Sequence, residues 1–294
     1  MGGVLRRGAV FLGSKEEYEE AQLVILGAPL DWTISWRPGA RLGPAHIRAS
    51  SEVLEEYSPA LDCDLSSVPF YDAGDLELPF GDTAASLALI RESVQRIIMD
   101  GKVPLLLGGE HLVTYPAVEA VRQYHPDLAV LHFDAHADLR QEYMGVTLSH
   151  ATVMRRVLEL GRLELYQFGI RSGSEAEFIF APTHTHFYPF EFREALEKVV
   201  PTLAGRPVYI TIDIDVVDPA FAPGTGTPEP GGCTAQEILA SVYALRDLLV
   251  VGFDLVEVAP LYDPSGRTGV LAAKIVREAI LAWGSRSQET AEGG

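Results

Sequence analysis

The chain has 294 residues, is 47% hydrophobic and carries a formal net charge of −18 at pH 7. This size and composition can bury a large core in one α/β domain. The negative charge argues against nucleic acid or an anionic membrane as a partner, because both attract basic patches.

The sequence contains no targeting or disulfide signal. It has no run of about 18 apolar residues and no signal-peptide pattern, so we expect a cytoplasmic protein without a membrane span. Cys63 and Cys233 lie far apart and match no CxxC pattern, so we expect two reduced thiols.

Short apolar runs recur along the chain, with amphipathic segments between them. The runs that predict strands are 23–26, 68–71, 103–107, 128–133, 164–170, 185–188, 208–214 and 251–258. The segments that predict helices are 45–57, 83–99, 115–123, 150–160, 192–203, 234–248 and 268–283. This alternation predicts a three-layer α/β fold, in which helices cover both faces of a mostly parallel sheet of about eight strands.

Some residues mark where elements begin and end. Thr234 and Glu237 form a capping box at the start of the predicted helix 234–248. The Gly- and Pro-rich stretch 219–232 is too long for a tight turn and predicts a functional loop. We expect a single domain over residues 1–294, with residues 1–20 as an N-terminal extension and 285–294 as a disordered tail.

Acidic residues and histidines follow three of the predicted strands. Alternate residues of a strand point to the same side, so each group would direct its side chains at one spot. The C-terminal ends of parallel strands also meet at one edge of the sheet. The candidate ligands are His111 after the run 103–107, then Asp134, His136 and Asp138 after 128–133, and Asp213 and Asp215 at the end of 208–214.

Four clustered aspartates would repel one another unless cations lay between them. One divalent ion balances half of that charge, so we expect two metal ions. The ligands are oxygen and nitrogen without sulfur, which disfavours thiolate zinc or iron–sulfur sites and makes manganese the first choice. Two such ions typically share a bridging water and hold it as hydroxide, which predicts metal-assisted hydrolysis. The alternative is that these residues are solvated turn acids and capping residues.

Four motifs, taken together and in order, resemble the ureohydrolase family, which contains arginases, agmatinases and guanidino-acid hydrolases. They are Gly108-Gly109-Glu110-His111, Asp134-Ala135-His136-Ala137-Asp138, Ser149-His150-Ala151-Thr152 and Asp213-Ile214-Asp215-Val216-Val217-Asp218-Pro219. The similarity spans residues from about 20 to 284. Within the family the chain most resembles the bacterial agmatinases, including segment 31–41 and Ser149-His150. The arginase-like fold of the family agrees with the predicted sheet.

The resemblance implies a binuclear manganese centre with a defined division of ligands. His111 would bind one ion, with Asp138 on the same side. His136 and Asp215 would bind the other ion. Asp134 and Asp213 would bridge the two ions.

The resemblance also assigns two residues to the substrate. Glu257 would pair with the guanidinium group, since a planar cation with several N–H donors suits a carboxylate. His150 would shuttle protons, as imidazole can near neutral pH. Without the resemblance, Glu257 could be a surface carboxylate at a strand end and His150 a histidine at a helix start. His132 is expected to be a buried partner of the site and not a ligand.

These expectations lead to a specific reaction, the hydrolysis of agmatine to putrescine and urea. Hydroxide would attack the guanidinium carbon, and Asp138 or His150 would help protonate the leaving amine. Segment 139–148 lacks the Asn-containing pattern with which arginases recognise an α-amino acid, which favours a decarboxylated substrate.

Three alternatives remain open from the sequence. A guanidinobutyrase or an arginase would need a basic group at the distal end of the pocket, and Arg37, Arg41, Arg140 and Arg171 leave that open. The third alternative is a non-catalytic metal-binding protein of the same fold, although all the expected functional residues are present. The partner is expected to be a small cationic guanidino compound, and family relatives form trimers or hexamers.

Overall fold

The fold is built around one nine-stranded sheet. A computed structural model describes residues 4–6, 8–15 and 17–284, without the side chain of Arg6, and the tail predicted for residues 285–294 lies outside this range. The strands of the sheet are β1 (Leu5–Arg6), β2 (Leu23–Ala28), β5 (Phe70–Leu76), β6 (Val103–Gly108), β7 (Ala129–Phe133), β8 (Glu164–Phe168), β9 (His186–Tyr188), β10 (Pro207–Asp213) and β11 (Leu249–Val256). A separate two-stranded pair is formed by β3 (Tyr57–Ser58) and β4 (Cys63–Asp64).

The strand order across the sheet is β1-β5-β2-β6-β11-β10-β7-β8-β9. Every neighbouring pair is parallel except β1 with β5. The prediction of about eight mostly parallel strands is therefore confirmed, with a short antiparallel edge strand added. Within the described residues, every helix is too short or too polar to span a membrane.

Helices cover both faces of the sheet. They are α1 (Gly43–Ser51), α2 (Thr83–Met99), α3 (Thr114–Tyr124), α4 (Val153–Glu159), α5 (Glu175–His184), α6 (Arg193–Val199), α7 (Ala235–Ala244) and α8 (Arg267–Gly284). Helices α1, α6, α7 and α8 contribute to one hydrophobic cluster, and α2, α3, α4 and α5 to a second. Strand residues alternate between them: Leu23 and Ile25 belong to the first cluster, and Val24 and Leu26 to the second. The predicted three-layer fold is confirmed.

The sequence located most elements but misplaced some of their ends. The helix predicted over 83–99 has the bounds of α2, whereas the one predicted over 45–57 ends at Ser51, and Tyr57 belongs to the β3–β4 pair instead. Helix α5 was not predicted, since Pro182 interrupts its pattern, although the capping box of Ser174 and Glu177 was a usable signal. The predicted Thr234 capping box is present, with Thr234 N donating to Glu237 Oε2 at 2.7 Å.

Strand β5 runs further than its apolar run because it buries a charged residue. Asp72 is 1% exposed and accepts hydrogen bonds from Arg48 Nε at 2.7 Å and from Arg48 Nη2 at 2.8 Å. Its Oδ2 also accepts from the backbone N–H of Phe11 at 2.8 Å. The pairing joins β5 to α1 and satisfies a carboxylate that could not otherwise stay ionised inside the core.

We expect Arg48→Ala to lower the free energy of unfolding by about 3–5 kcal/mol, because it leaves the buried Asp72 carboxylate without its counter-charge. Urea denaturation measures the change. Arg193→Ala is the matched control, since the Arg193–Glu197 pair is exposed on both sides and should contribute less than about 1 kcal/mol. Equal losses in the two variants would contradict a special role for the buried pair.

Candidate metal centre and active site

The predicted ligands lie at the C-terminal edge of neighbouring central strands. His111 follows β6, the aspartates and histidine of segment 134–138 follow β7, and Asp213 is the last residue of β10. These strands, with β11, occupy consecutive positions in the order β6-β11-β10-β7. The structure therefore brings all the predicted ligands to one edge of the sheet.

From the sequence, this convergence was explained by the alternation of side chains along a strand, and that explanation was wrong. Strand alternation cannot orient Asp134, His136 and Asp138, because β7 ends at Phe133 and these residues lie in the following loop. Asp215 likewise lies in a 3-10 turn after β10. The side chains converge because the loops are folded, and not because residues two apart in a strand share a face.

Hydrogen bonds between carboxylates and backbone N–H groups fold these loops. Asp134 Oδ1 accepts from His136 N at 2.6 Å, and Asp213 Oδ1 accepts from Asp215 N at 2.9 Å. Asp215 Oδ1 accepts from Ala135 N at 3.1 Å, which joins the two loops. The Oδ2 atoms of the three aspartates all lie near an imidazole of the cluster.

His111 Nδ1 lies at the centre of the first group of ligands. It is 3.0 Å from Asp134 Oδ2, 3.4 Å from Asp138 Oδ2 and 3.3 Å from Asp213 Oδ2. His111 Nε2 lies 2.9 Å from Thr211 Oγ1, which can hold the proton on Nε2 and leave the Nδ1 lone pair free. Nδ1 is buried and has no hydrogen-bond partner among the described residues.

A second group of ligands shares a carboxylate with the first. His136 Nδ1 lies 3.0 Å from Asp215 Oδ2 and 3.6 Å from Asp134 Oδ1. Asp134, His136 and Asp215 could hold one ion, while Asp134 with His111 and Asp138 could hold another. Asp134 is thus placed between two potential cation positions.

His132 supports the cluster from behind. Its Nε2 lies 2.7 Å from Asp134 Oδ2, and its Nδ1 lies 3.0 Å from Gln167 Nε2. Because the Gln167 amide donates to Nδ1, the Nε2–H of His132 donates to Asp134. This buried contact agrees with the expectation that His132 is a partner of the site, although its position would also allow it to contribute to the first group.

The electrostatics of the cluster show a deficit of positive charge. Burial and neighbouring aspartates raise the pKa of Asp138 and of Asp213 well above the ordinary value. Burial alone would lower the pKa of His111, but the nearby carboxylates of Asp134 and Asp213 outweigh it and raise this pKa. Without metal, the site would therefore take up protons.

The donor set fits divalent ions. Distances of 3.0–3.4 Å between His111 Nδ1 and the carboxylate oxygens match neighbouring ligands of an octahedral ion, which lie about 3 Å apart when each is about 2.1 Å from the ion. Imidazole and carboxylate donors without sulfur suit manganese or a related ion. The residues present can therefore hold divalent metal ions.

A pocket of about 200 Å³ opens onto this cluster. Glu257 follows β11, is 4% exposed and accepts a hydrogen bond from His111 N at 2.8 Å. Burial and the charge of Asp213 raise the pKa of Glu257. The pocket lining includes Ser35, His111, His136, Asp138, Arg140, Tyr143, His150, Glu177, Asp213, Thr227 and Glu257.

The backbone holds two of these residues in an unusual conformation. Asp138 has a φ of 53° and Glu257 a φ of 63°, in the left-handed region that side chains other than glycine rarely adopt. Such strain persists where the surrounding structure enforces it, and it is common at functional sites. The conformation turns both carboxylates towards the cluster, and nothing in the sequence indicated it.

His150 lines the same pocket and is held by residues of the 31–35 loop. Its backbone N–H donates to Thr33 Oγ1 at 3.1 Å, its Nδ1 lies 3.4 Å from the same oxygen, and its Nε2 lies 3.4 Å from Ser35 Oγ. The ring packs against the edge of Tyr143. Burial, followed by the charge of His136, lowers the pKa of His150 to about 4.

Of the four arginines that the sequence left open, Arg140 lines the pocket. Its Nε lies 3.5 Å from Glu177 Oε2, so its charge is partly balanced. Arg37 lies over a tryptophan ring, Arg41 pairs with an aspartate and Arg171 donates to backbone carbonyls. From the sequence, no role was assigned to Glu177, although its place in a capping box with Ser174 could have been recognised.

Comparisons with known proteins show what this geometry resembles. The sequence profile described as the Arginase family matches residues 21–282. An agmatinase of Bacillus subtilis is 53% identical over 280 residues, which cover 94% of this chain and 97% of that protein.

Solved structures give the same result. One from Clostridium difficile has a TM-score of 0.89 at 42% identity and covers 92% of this chain and 100% of its own. The agmatine ureohydrolase of Thermoplasma volcanium has a TM-score of 0.86 at 35% identity and covers 98% of both chains. The matched residues include every predicted ligand, and the chain belongs to the arginase family.

Proposed function

We propose that the protein hydrolyses agmatine to putrescine and urea. The observation that carries the proposal is the buried cluster of aspartates and imidazoles beside Glu257, in a pocket of about 200 Å³. The 53% identity to an agmatinase over nearly the whole chain supports agmatine as the substrate.

The proposed cofactor is a pair of Mn²⁺ ions. His111 and Asp138 would bind one ion, His136 and Asp215 the other, and Asp134 and Asp213 would bridge them. Asp134 belongs to both ligand groups, which supports its bridging role, and Asp213 Oδ2 lies 3.3 Å from His111 Nδ1, beside the first group. When bound, the ions supply Lewis-acid chemistry that lowers the pKa of water and makes a nucleophile available near neutral pH.

The side chains around the cluster provide the other requirements of the reaction. Glu257 would hold the guanidinium through charge-assisted hydrogen bonds. Because His111 N donates to Glu257 Oε1, the carboxylate is fixed beside the cluster, and the guanidinium would lie within reach of it. His150 is neutral at rest, since its pKa is about 4, and can carry a proton to the leaving amine. Asp138, which lines the same pocket, is the alternative donor.

We infer that the pocket suits a cationic substrate end better than a carboxylate. Arg140 is the pocket-lining arginine, and its position near Glu177 Oε2 partly neutralises it. A guanidinobutyrase or an arginase would bury a substrate carboxylate there, which is costly without a dedicated donor. A non-catalytic role is disfavoured because four of the proposed ligands line the same pocket as Glu257 and His150.

We also propose the broader organisation inferred from the sequence. Residues 1–294 would form a single domain in the cytoplasm, and the chain would assemble into a trimer or hexamer. The single sheet that runs from β1 to β9 supports the one-domain proposal.

Asp134→Ala is expected to lose at least one metal ion per chain and to abolish urea release, because the residue belongs to both ligand groups. Elemental analysis and a urea assay with agmatine measure the two effects. Asp127→Ala is the control, since its side chain is 84% exposed and far from the cluster in the fold. Retention of two ions and near-normal turnover in Asp134→Ala would disprove the bridging role.

Glu257→Gln is expected to lower kcat/KM for every guanidino substrate by roughly 100-fold or more, because the charge facing the guanidinium is removed. The amide oxygen can still accept the hydrogen bond from His111 N, so the ligand loop should be preserved. Glu194→Gln, an exposed substitution, serves as the control. A loss restricted to one substrate would place Glu257 at the distal end instead.

Agmatine should exceed arginine in kcat/KM by at least about 100-fold at equal metal loading, because about 3 kcal/mol of unpaired carboxylate burial already gives that factor. Urea release from agmatine, arginine and guanidinobutyrate measures the preference. Comparable values for agmatine and arginine would rule out the agmatine assignment and leave the family assignment intact.

A further inference from the structure

We infer that Thr33 is a positioning residue that fixes the tautomer of His150, with Glu110 setting the direction of its hydrogen bonds. The inference deepens the proposed function, since it concerns the histidine proposed to carry protons. It concerns a loop, residues 31–35, to which the sequence assigned no chemical role.

The arrangement begins with Glu110, which is fully buried behind the pocket. Its Oε2 accepts from Thr33 N at 3.0 Å and from Thr33 Oγ1 at 2.6 Å, and its Oε1 accepts from Trp32 N at 3.2 Å. Trp32 N and Thr33 N can only donate, so both carboxylate oxygens of Glu110 act as acceptors towards this loop. The hydroxyl proton of Thr33 is therefore directed at Glu110.

The orientation of this hydroxyl determines what it can do for His150. A threonine hydroxyl has one proton to donate and two lone pairs that accept. One lone pair of Thr33 Oγ1 accepts from His150 N at 3.1 Å, and the other faces His150 Nδ1 at 3.4 Å. Because the only hydroxyl proton is used by Glu110, His150 Nδ1 must be the donor and carry the proton of the neutral ring.

The basic nitrogen of neutral His150 is then Nε2, which lies 3.4 Å from Ser35 Oγ in the pocket lining. Nε2 can take up a proton released from the attacking water and pass it to the leaving amine. The water oxygen forms a C–O bond, and when the C–N bond breaks its electron pair stays on the amine nitrogen, which takes the proton from Nε2. The remaining hydroxyl proton of the adduct passes to the free amine as urea forms, and His150 returns to its starting tautomer. With the opposite tautomer, Nε2 would already be protonated and could not accept that proton.

The test compares Thr33→Val, Thr33→Ser and Glu110→Gln with the parent protein at alkaline pH, where the Glu110 carboxylate and neutral His150 prevail. Histidine labelled with ¹⁵N reports the protonated ring nitrogen by NMR, and His150→Asn assigns the signal. Zn²⁺ replaces the paramagnetic Mn²⁺ for this measurement. Metal content, kcat and KM for agmatine are measured on the Mn²⁺-loaded proteins.

The parent and Thr33→Ser should carry the proton on Nδ1. Thr33→Val should show mixed tautomers, a kcat lowered about 10-fold or more, and a KM within about 3-fold of the parent. Glu110→Gln should give mixed His150 tautomers, because an amide whose NH2 group faces Thr33 Oγ1 turns the hydroxyl towards Nδ1, whereas the reversed amide keeps the hydroxyl on its oxygen. Thr183→Val, at an exposed helix end, controls for loss of a hydroxyl and should leave the His150 signal, kcat and KM unchanged. Its hydroxyl lies 2.8 Å from His184 Nδ1, so any change in the spectrum should be confined to His184.

An Nε2–H tautomer in the parent, or an unchanged kcat in Thr33→Val, would overturn the inference. Loss of metal from Thr33→Val would also overturn it, because the effect would then act through the metal centre. Failure of the proposed function has a different signature, since the parent would release no urea from agmatine. The tautomer measurement needs no turnover and so tests the positioning role independently.

Discussion

Repulsion between buried carboxylates is the constraint on which the rest of the site depends. Asp134, Asp138, Asp213 and Asp215 are all less than 10% exposed and meet at one edge of the sheet. Such a group is stable only where a rigid framework holds it and cations offset its charge. The parallel sheet, covered by helices on both faces, supplies that framework, and strands β6, β11, β10 and β7 supply adjacent attachment points.

Much of the fold could be predicted because its strands are buried on both faces. Parallel strands of this kind appear as continuous apolar runs, and most of them stand out in the sequence. Strand β5 was predicted too short because Asp72 resembles the end of a strand until its partner Arg48 is known. That partner lies on α1, and local patterns contain no information about such a contact.

The candidate site residues could also be predicted from the sequence, but their arrangement in space could not. The motifs named the residues, whereas convergence depends on loop hydrogen bonds such as Asp215 to Ala135 and on the positive φ of Asp138 and Glu257. Contacts between distant segments, such as Thr33 with His150 and Glu110, are equally invisible before folding. Chemistry can be predicted from residue types, but orientation requires the tertiary structure.

The distribution of the ligands over three loops has a consequence for the stability of the whole domain. Ions held by the segments after β6, β7 and β10 would act as non-covalent cross-links between parts of the chain that are far apart in sequence. Ligands that bind the folded state alone stabilise it according to their free concentration. The thermal midpoint of this domain should therefore report metal availability, so that a chelator weakens the fold as well as the site.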